Sequence, residues 1–147
     1  MILLDTNVIS EPLRQAPADA VIEWIDRQPL ETLFLSAVTV AELRFGVACM
    51  PVGKRRDALY GDLEQRVLAL FAGRILAFDT AASLEYAALM ARARASGQSI
   101  GGPDGYIAAT AAAHGMSVAT RDVAPFEAAG VSVINPWGAP HSPHPPH

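Results

Sequence analysis

Met1-Ile2-Leu3-Leu4-Asp5-Thr6-Asn7-Val8 opens the chain with four apolar residues that run straight into an acid. A continuous apolar run with no polar alternation suits a strand buried on both faces, as in a parallel sheet covered by helices. An acid directly after such a strand falls at its carboxyl end, where open α/β sheets bind their ligands. The same pattern recurs downstream. Strands are expected near 1–4, 33–36, 74–78, 117–120 and 131–134. Helical segments separate them: Val8–Leu13 (interrupted by Pro12), Ala18–Arg27, Val38–Met50, Lys54–Ala72, Thr80–Ser96, Asp104–His114 and Ala124–Ala129. Their ends carry the usual punctuation, with Pro29, Pro51, Gly97 and Gly115 as stops and Pro103 at a first helical turn. Strands alternating with helices predict an α/β fold, a parallel sheet of about five strands with helices on both faces.

Composition narrows the function. The chain has 147 residues, 51% hydrophobic and 18% charged, which is one domain's worth with enough apolar side chains for a core. A net charge of −4 argues against a broad basic face for duplex DNA. The single cysteine, Cys49, forms no internal disulfide and is expected to be a small buried hydrophobe. No apolar run is long enough to span a bilayer, and the first strand meets Asp5 too soon for a signal peptide. A cytoplasmic location is therefore expected. Residues 1–137 are read as one domain, and 138–147, with His141, His144 and His147 among prolines, as a disordered tail.

Five acids are expected near the carboxyl edge of the sheet. Asp5, Asp79 and Asp122 follow strands, Glu42 lies on the helix after strand two, and Asp104 opens the helix before strand four. Gathered carboxylates repel one another, and a hard cation with oxygen ligands relieves that cost. Mg²⁺ or Mn²⁺ suits such donors and can activate a water for attack on a phosphodiester. Each acid also has a plain structural reading. Asp5, Asn7, Asp79 and Asp122 suit helix caps, Asp104 suits a helix N-terminus, and Thr39-Val40-Ala41-Glu42 has the spacing of a capping box.

Four blocks then identify a family. Ile2-Leu3-Leu4-Asp5-Thr6-Asn7-Val8, Val40-Ala41-Glu42-Leu43-Arg44-Phe45-Gly46, Pro103-Asp104-Gly105-Tyr106-Ile107-Ala108-Ala109-Thr110-Ala111 and Ala119-Thr120-Arg121-Asp122-Val123-Ala124-Pro125-Phe126 resemble the signature blocks of PIN-domain ribonucleases. More narrowly, the chain resembles VapC-type toxins of the FitB-like subgroup, as does Asn135-Pro136-Trp137. The resemblance implies a PIN-like fold and a metal-dependent endoribonuclease acting on RNA with Mg²⁺ or Mn²⁺. It also implies the toxin role in a toxin–antitoxin pair, a cognate antitoxin that is a small DNA-binding protein encoded next door, and a homodimer. It maps the acidic quartet onto Asp5, Glu42, Asp104 and Asp122, the first and third as core metal ligands, with Thr120 as a supporting hydroxyl. Thr6 and Asn7 occupy the polar positions after the first acid. Asp79 lies outside the quartet and is read as a cap.

Other residues are weighed against bland alternatives. Arg121, beside the acids, suits an RNA phosphate or a surface ion pair. Lys54-Arg55-Arg56 sits at a helix start, where positive charge is unfavourable; a phosphate or partner contact competes with a solvated charge run. His114 before Gly115 reads as a helix end, and Trp24 and Trp137 as packing residues. The row Leu59, Leu63, Val67, Leu70 is read as more apolar surface than the core needs, hence a dimer contact. The alternative function is a PIN-fold module that binds RNA or an antitoxin without cutting. A receiver domain is excluded because the one lysine, Lys54, lies in the wrong half. A phosphatase with Asp-x-Asp is excluded by Asn7, and no P-loop surrounds Gly53-Lys54.

Overall fold

A computed structural model of the chain describes residues 1–138. The tail with His141, His144 and His147, and the expectations attached to it, lie outside the described residues. Five strands form one wholly parallel sheet: β1 (Ile2–Leu4), β2 (Leu33–Ser36), β3 (Ile75–Leu76), β4 (Ser117–Ala119) and β5 (Val133–Ile134). Their order is β3-β2-β1-β4-β5, with Ile2 opposite both Leu33 and Ser117. The chain builds outward from β1 to β3 on one side, then crosses back to lay β4 and β5 on the other. The strand order therefore reverses between β1 and β4. A crevice outside their carboxyl ends is the expected ligand position of such a sheet.

Side chains that alternate along β1 feed two separate cores. Leu4 packs with Val8, Leu33, Leu35 and Leu63 in one, while Leu3 packs with Leu89, Ile107, Val118 and Phe126 in the other. The helices that cover them are α1 (Thr6–Ser10), α2 (Asp19–Arg27), α3 (Ala37–Ala48), α4 (Lys54–Gly61), the short α5 (Leu68–Leu70), α6 (Thr80–Ala95), α7 (Gly102–Ala113) and α8 (Val123–Ala128). Among the described residues, no helix is long and apolar enough to cross a membrane.

Several local expectations hold. The Asp79 carboxylate accepts a hydrogen bond from Ala82 N at 3.0 Å and caps α6. Gly97 and Gly115 end α6 and α7 at φ of 72° and 64°, left-handed values that glycine reaches without Cβ strain. Others need correction. α3 begins earlier than its apolar pattern suggests, because Ser36 caps it by accepting from Thr39 N at 3.0 Å. Thr39 therefore sits inside the first turn, the capping box dissolves, and Glu42 is free for another use. Segment 54–72 is not one regular helix, since a π-helical turn over Asp62–Val67 interrupts it. That turn helps place Leu63 in the core with Leu59 and Val67 packed against it, leaving Leu70 as the exposed member of the expected row. Cys49 is exposed, because it is the C-terminal cap of α3, where the helix leaves the core. Asp122 stands at the N-cap of α8 but makes no capping bond with its side chain.

Candidate active site

Asp5 leaves β1 at the point where the strand order reverses, and it is 3% exposed. Its backbone N–H donates to Ala119 O at 2.9 Å, which ties it to the end of β4. The carboxylate is held at both oxygens. Oδ1 accepts from Thr6 N at 2.8 Å, which makes Asp5 the cap of α1 as well. Oδ2 accepts from the Thr120 hydroxyl at 2.8 Å and from Asn7 Nδ2 at 3.3 Å. Thr120, fully buried one residue past β4, also accepts from Asp122 N at 2.9 Å. One hydroxyl thus links the first acid to the backbone that carries the fourth. The Asn7 side chain closes the same loop from the other side, its Oδ1 accepting from Arg121 N at 3.1 Å.

Glu42 arrives from α3. Its Oε1 accepts a 2.6 Å hydrogen bond from the Thr6 hydroxyl. Behind it, Thr39 Oγ1 lies 3.3 Å from Thr6 Oγ1 and 3.3 Å from Ser36 Oγ. Ser36 and Thr39 are buried, so this chain of hydroxyls connects the end of β2 to the site through the interior. Sequence reading takes Thr39 for the cap itself and passes over Ser36. The spacing Ser36-x-x-Thr39-x-x-Glu42 was the available signal, misread because Ser36 ends a strand. Glu11 was missed too: a buried acid whose Oε2 accepts from Ala18 N at 2.8 Å, fastening the loop after α1. That bond, foremost, holds its pKa below the ordinary carboxylate range.

The acids sense one another. Burial foremost, against the bonds from Thr120 and Thr6 and helped by the charges of Asp104 and Glu42, lifts the Asp5 pKa from 3.8 to about 6. Asp104, half-buried in the first turn of α7, is raised foremost by burial and then by the charges of Asp122 and Glu42. The charges of Asp104 and Glu42 thus reach Asp5, which is buried, and those of Asp122, which is exposed, and Glu42 reach Asp104. Asp79 caps α6, and its charge is felt by neither Asp5 nor Asp104. Arg121 turns its guanidinium to the Trp137 ring, 4.9 Å from its centroid, so Trp137 serves as a platform as well as a packing residue.

Like charges hold one another apart, and among the described residues no three acidic, histidine or cysteine side chains form a ready-made metal-ligating group. The donor chemistry fits a hard divalent cation all the same. The donors at this edge are carboxylate and hydroxyl oxygens, and Asp5 and Asp104, raised first by burial and then by neighbouring carboxylates, are groups whose charge a cation between them would favour.

Comparisons with known proteins identify the family. The family model described as "PIN domain" matches residues 2–131. The chain is 63% identical to VapC ribonuclease Y4jK of Sinorhizobium fredii over 137 residues, 93% of this chain and 98% of the relative. It is 55% identical to toxin FitB of Neisseria gonorrhoeae, again over 137 residues, covering 93% of this chain and 99% of that protein. Its fold matches the crystal structure of FitAcB from Neisseria gonorrhoeae with a TM-score of 0.92 at 54% identity, covering 95% of this chain and 100% of that one. With a family model matched over residues 2–131 and relatives above 50% identity along nearly the whole chain, the chain belongs to the PIN-domain family.

Proposed function

We propose that this protein is a metal-dependent endoribonuclease that cuts RNA phosphodiester bonds as the toxin of a toxin–antitoxin pair. The observation that carries the reading is Asp5: a carboxylate 3% exposed at the reversal of the sheet, raised to about 6, and pressed by the charges of Asp104 and Glu42. A fold tolerates such a group when its charge does work. Two relatives, a VapC ribonuclease and a toxin, support the same conclusion.

Asp5 and Asp104 would hold Mg²⁺ or Mn²⁺, with Glu42 and Asp122 completing the site. The bound cation would supply Lewis acidity toward a phosphate oxygen and lower the pKa of a water. The protein's part is orientation. Thr120 and Asn7 lock the Asp5 carboxylate in one rotamer, and Thr6 does the same for Glu42. The backbone around Asp122 is tied to Thr120, so the exposed acid keeps a fixed root while its side chain meets solvent. The cognate antitoxin is proposed to cover this pocket with an arginine, whose planar donors match paired carboxylates. A homodimer belongs to the same reading.

The test is cleavage of a labelled RNA with Mg²⁺, with Mn²⁺ and with excess chelator. Wild-type protein should cut only with metal. Asp5→Asn and Glu42→Gln should abolish cutting, and Asp79→Asn should not. Full activity in chelator, or an active Asp5→Asn, refutes the proposal; RNA binding with no cutting in any condition favours a non-cleaving module.

A further inference from the structure

We propose that Trp137 is a positioning residue that holds the Arg121 guanidinium off the four acids and so keeps their carboxylates open to a divalent cation. The proposal rests on the metal-dependent reading above and adds the residue that stops the site from closing on itself. Paired carboxylates hold an arginine well, because its planar donors match two oxygens at once. Arg121 stands directly before Asp122 and directly after Thr120, whose hydroxyl bonds Asp5. It is exposed, yet among the described residues it forms no ion pair with any carboxylate. Its guanidinium lies over the Trp137 ring instead, 4.9 Å from the centroid.

The backbone fixes both members of this pair. Arg121 N donates to Asn7 Oδ1 at 3.1 Å, which anchors the root of the side chain. Thr120 N donates to Ile134 O at 2.9 Å, which sets the turn after β5 against the same corner. In that turn Trp137 N donates to Asn135 Oδ1 at 3.0 Å, and Gly138 N to Asn135 O at 3.1 Å. Trp137 is half-buried and packs against the core that contains Leu4 and Val8. The ring is therefore a preplaced surface, while Arg121 is a long side chain with two competing partners. A tryptophan face attracts a guanidinium about as strongly as an exposed carboxylate does. A partner that is already immobile loses no rotamer freedom on contact, and that tips the choice to the ring. The electrostatics agree. The Arg121 charge reaches Glu11, whose pKa is lowered foremost by the bond from Ala18 N, but it is felt by neither Asp5 nor Asp104.

The experiment reads the stack and the metal separately, on full-length protein. Proton NMR in chelator follows the Arg121 Hδ signals, and electron paramagnetic resonance of free Mn²⁺ gives the affinity for Mn²⁺ alone. Ring current should shift the Hδ signals upfield in wild type and Trp137→Phe, and Trp137→Leu should return them to ordinary positions. Trp137→Leu should weaken Mn²⁺ binding about fivefold, the upper worth of an exposed ion pair, and Trp137→Phe should bind as wild type. Arg121→Gln should also bind as wild type, and added to Trp137→Leu it should restore the lost affinity. A loss in Trp137→Leu that Arg121→Gln does not restore makes Trp137 merely structural and overturns the proposal. So does a Trp137→Leu protein with wild-type affinity. An Arg121→Gln protein that binds Mn²⁺ about fivefold tighter than wild type overturns it too, because Arg121 then already sits on the acids. That arm decides the matter even where Trp137→Leu does not fold. Unshifted Hδ signals in a wild type that binds Mn²⁺ remove the proposal alone. A wild type that binds Mn²⁺ and cuts no RNA counts only against the ribonuclease reading, and one that binds no Mn²⁺ removes the metal reading and this proposal together.

Discussion

Replacing Asp5 with Asn removes the charge that the fold tolerates least. The Asp5 pKa of about 6, against 3.8 for the ordinary group, means that ionising it in the folded state costs about 3 kcal/mol at 1.36 kcal/mol per pKa unit. A folded pKa raised this way favours the protonated native state. The stability is fully present below 3.8 and is lost as pH rises through about 6. Asn keeps an oxygen for Thr6 N, and Asn is a good N-cap. It places an amide where Oδ2 accepts from Thr120 and Asn7, so a donor meets a donor, at a cost of about 1 kcal/mol. The balance at pH 7.5 in chelator favours Asp5→Asn by about 2 kcal/mol, or roughly 4–8 °C in Tm. At pH 4.5 wild-type Asp5 is largely protonated and keeps its hydrogen bonds, so the advantage should vanish or reverse. Urea melts of both proteins at the two pH values check this. A variant less stable than wild type at pH 7.5 would show that Asp5 is first a structural cap, and that the cost of burying its charge is too small to matter.

Asp104→Asn removes a second repelling charge, and in chelator at pH 7.5 it should melt higher than wild type and cut no RNA. Mg²⁺ at ten times its Kd should stabilise wild type by about 1.4 kcal/mol and this variant far less, as a thermal melt with and without metal will show. Thr6→Val deletes the 2.6 Å bond that orients Glu42; the turnover rate should fall at least tenfold while the urea midpoint moves little, and an unaltered rate would remove Thr6 from the site. Asp79→Ala deletes the cap of α6 and should cost about 1 kcal/mol in a denaturant melt with RNA cutting intact.

Much of this molecule is legible in one dimension. The apolar run Ile2-Leu3-Leu4 needs no tertiary knowledge to be read as a doubly buried strand, because alternate side chains go to opposite faces and both are apolar. The resemblance to four signature blocks points to a quartet of acids, which position along the chain alone leaves mixed with Asp79. Local capping is legible where the cap is a single residue: Asp79 bonds Ala82 within its own turn, so neighbours in sequence suffice. The reading fails where the deciding partner is distant. Whether Glu42 serves α3 or the site depends on Thr6, 36 residues away. Whether Leu63 is core or surface depends on a π-helical turn that shifts the helix phase, which a count of apolar spacings does not register.

The sequence by itself determined the order of elements and the parallel sheet, because propensity and periodicity are properties of neighbours along a chain. Only the tertiary structure decided that β1 and β4 lie side by side, so that Thr120 reaches Asp5 across 115 positions and a buried carboxylate rises to about 6. Burial and charge–charge coupling act through space. No stretch of sequence contains them until the sheet has brought its carboxyl ends together.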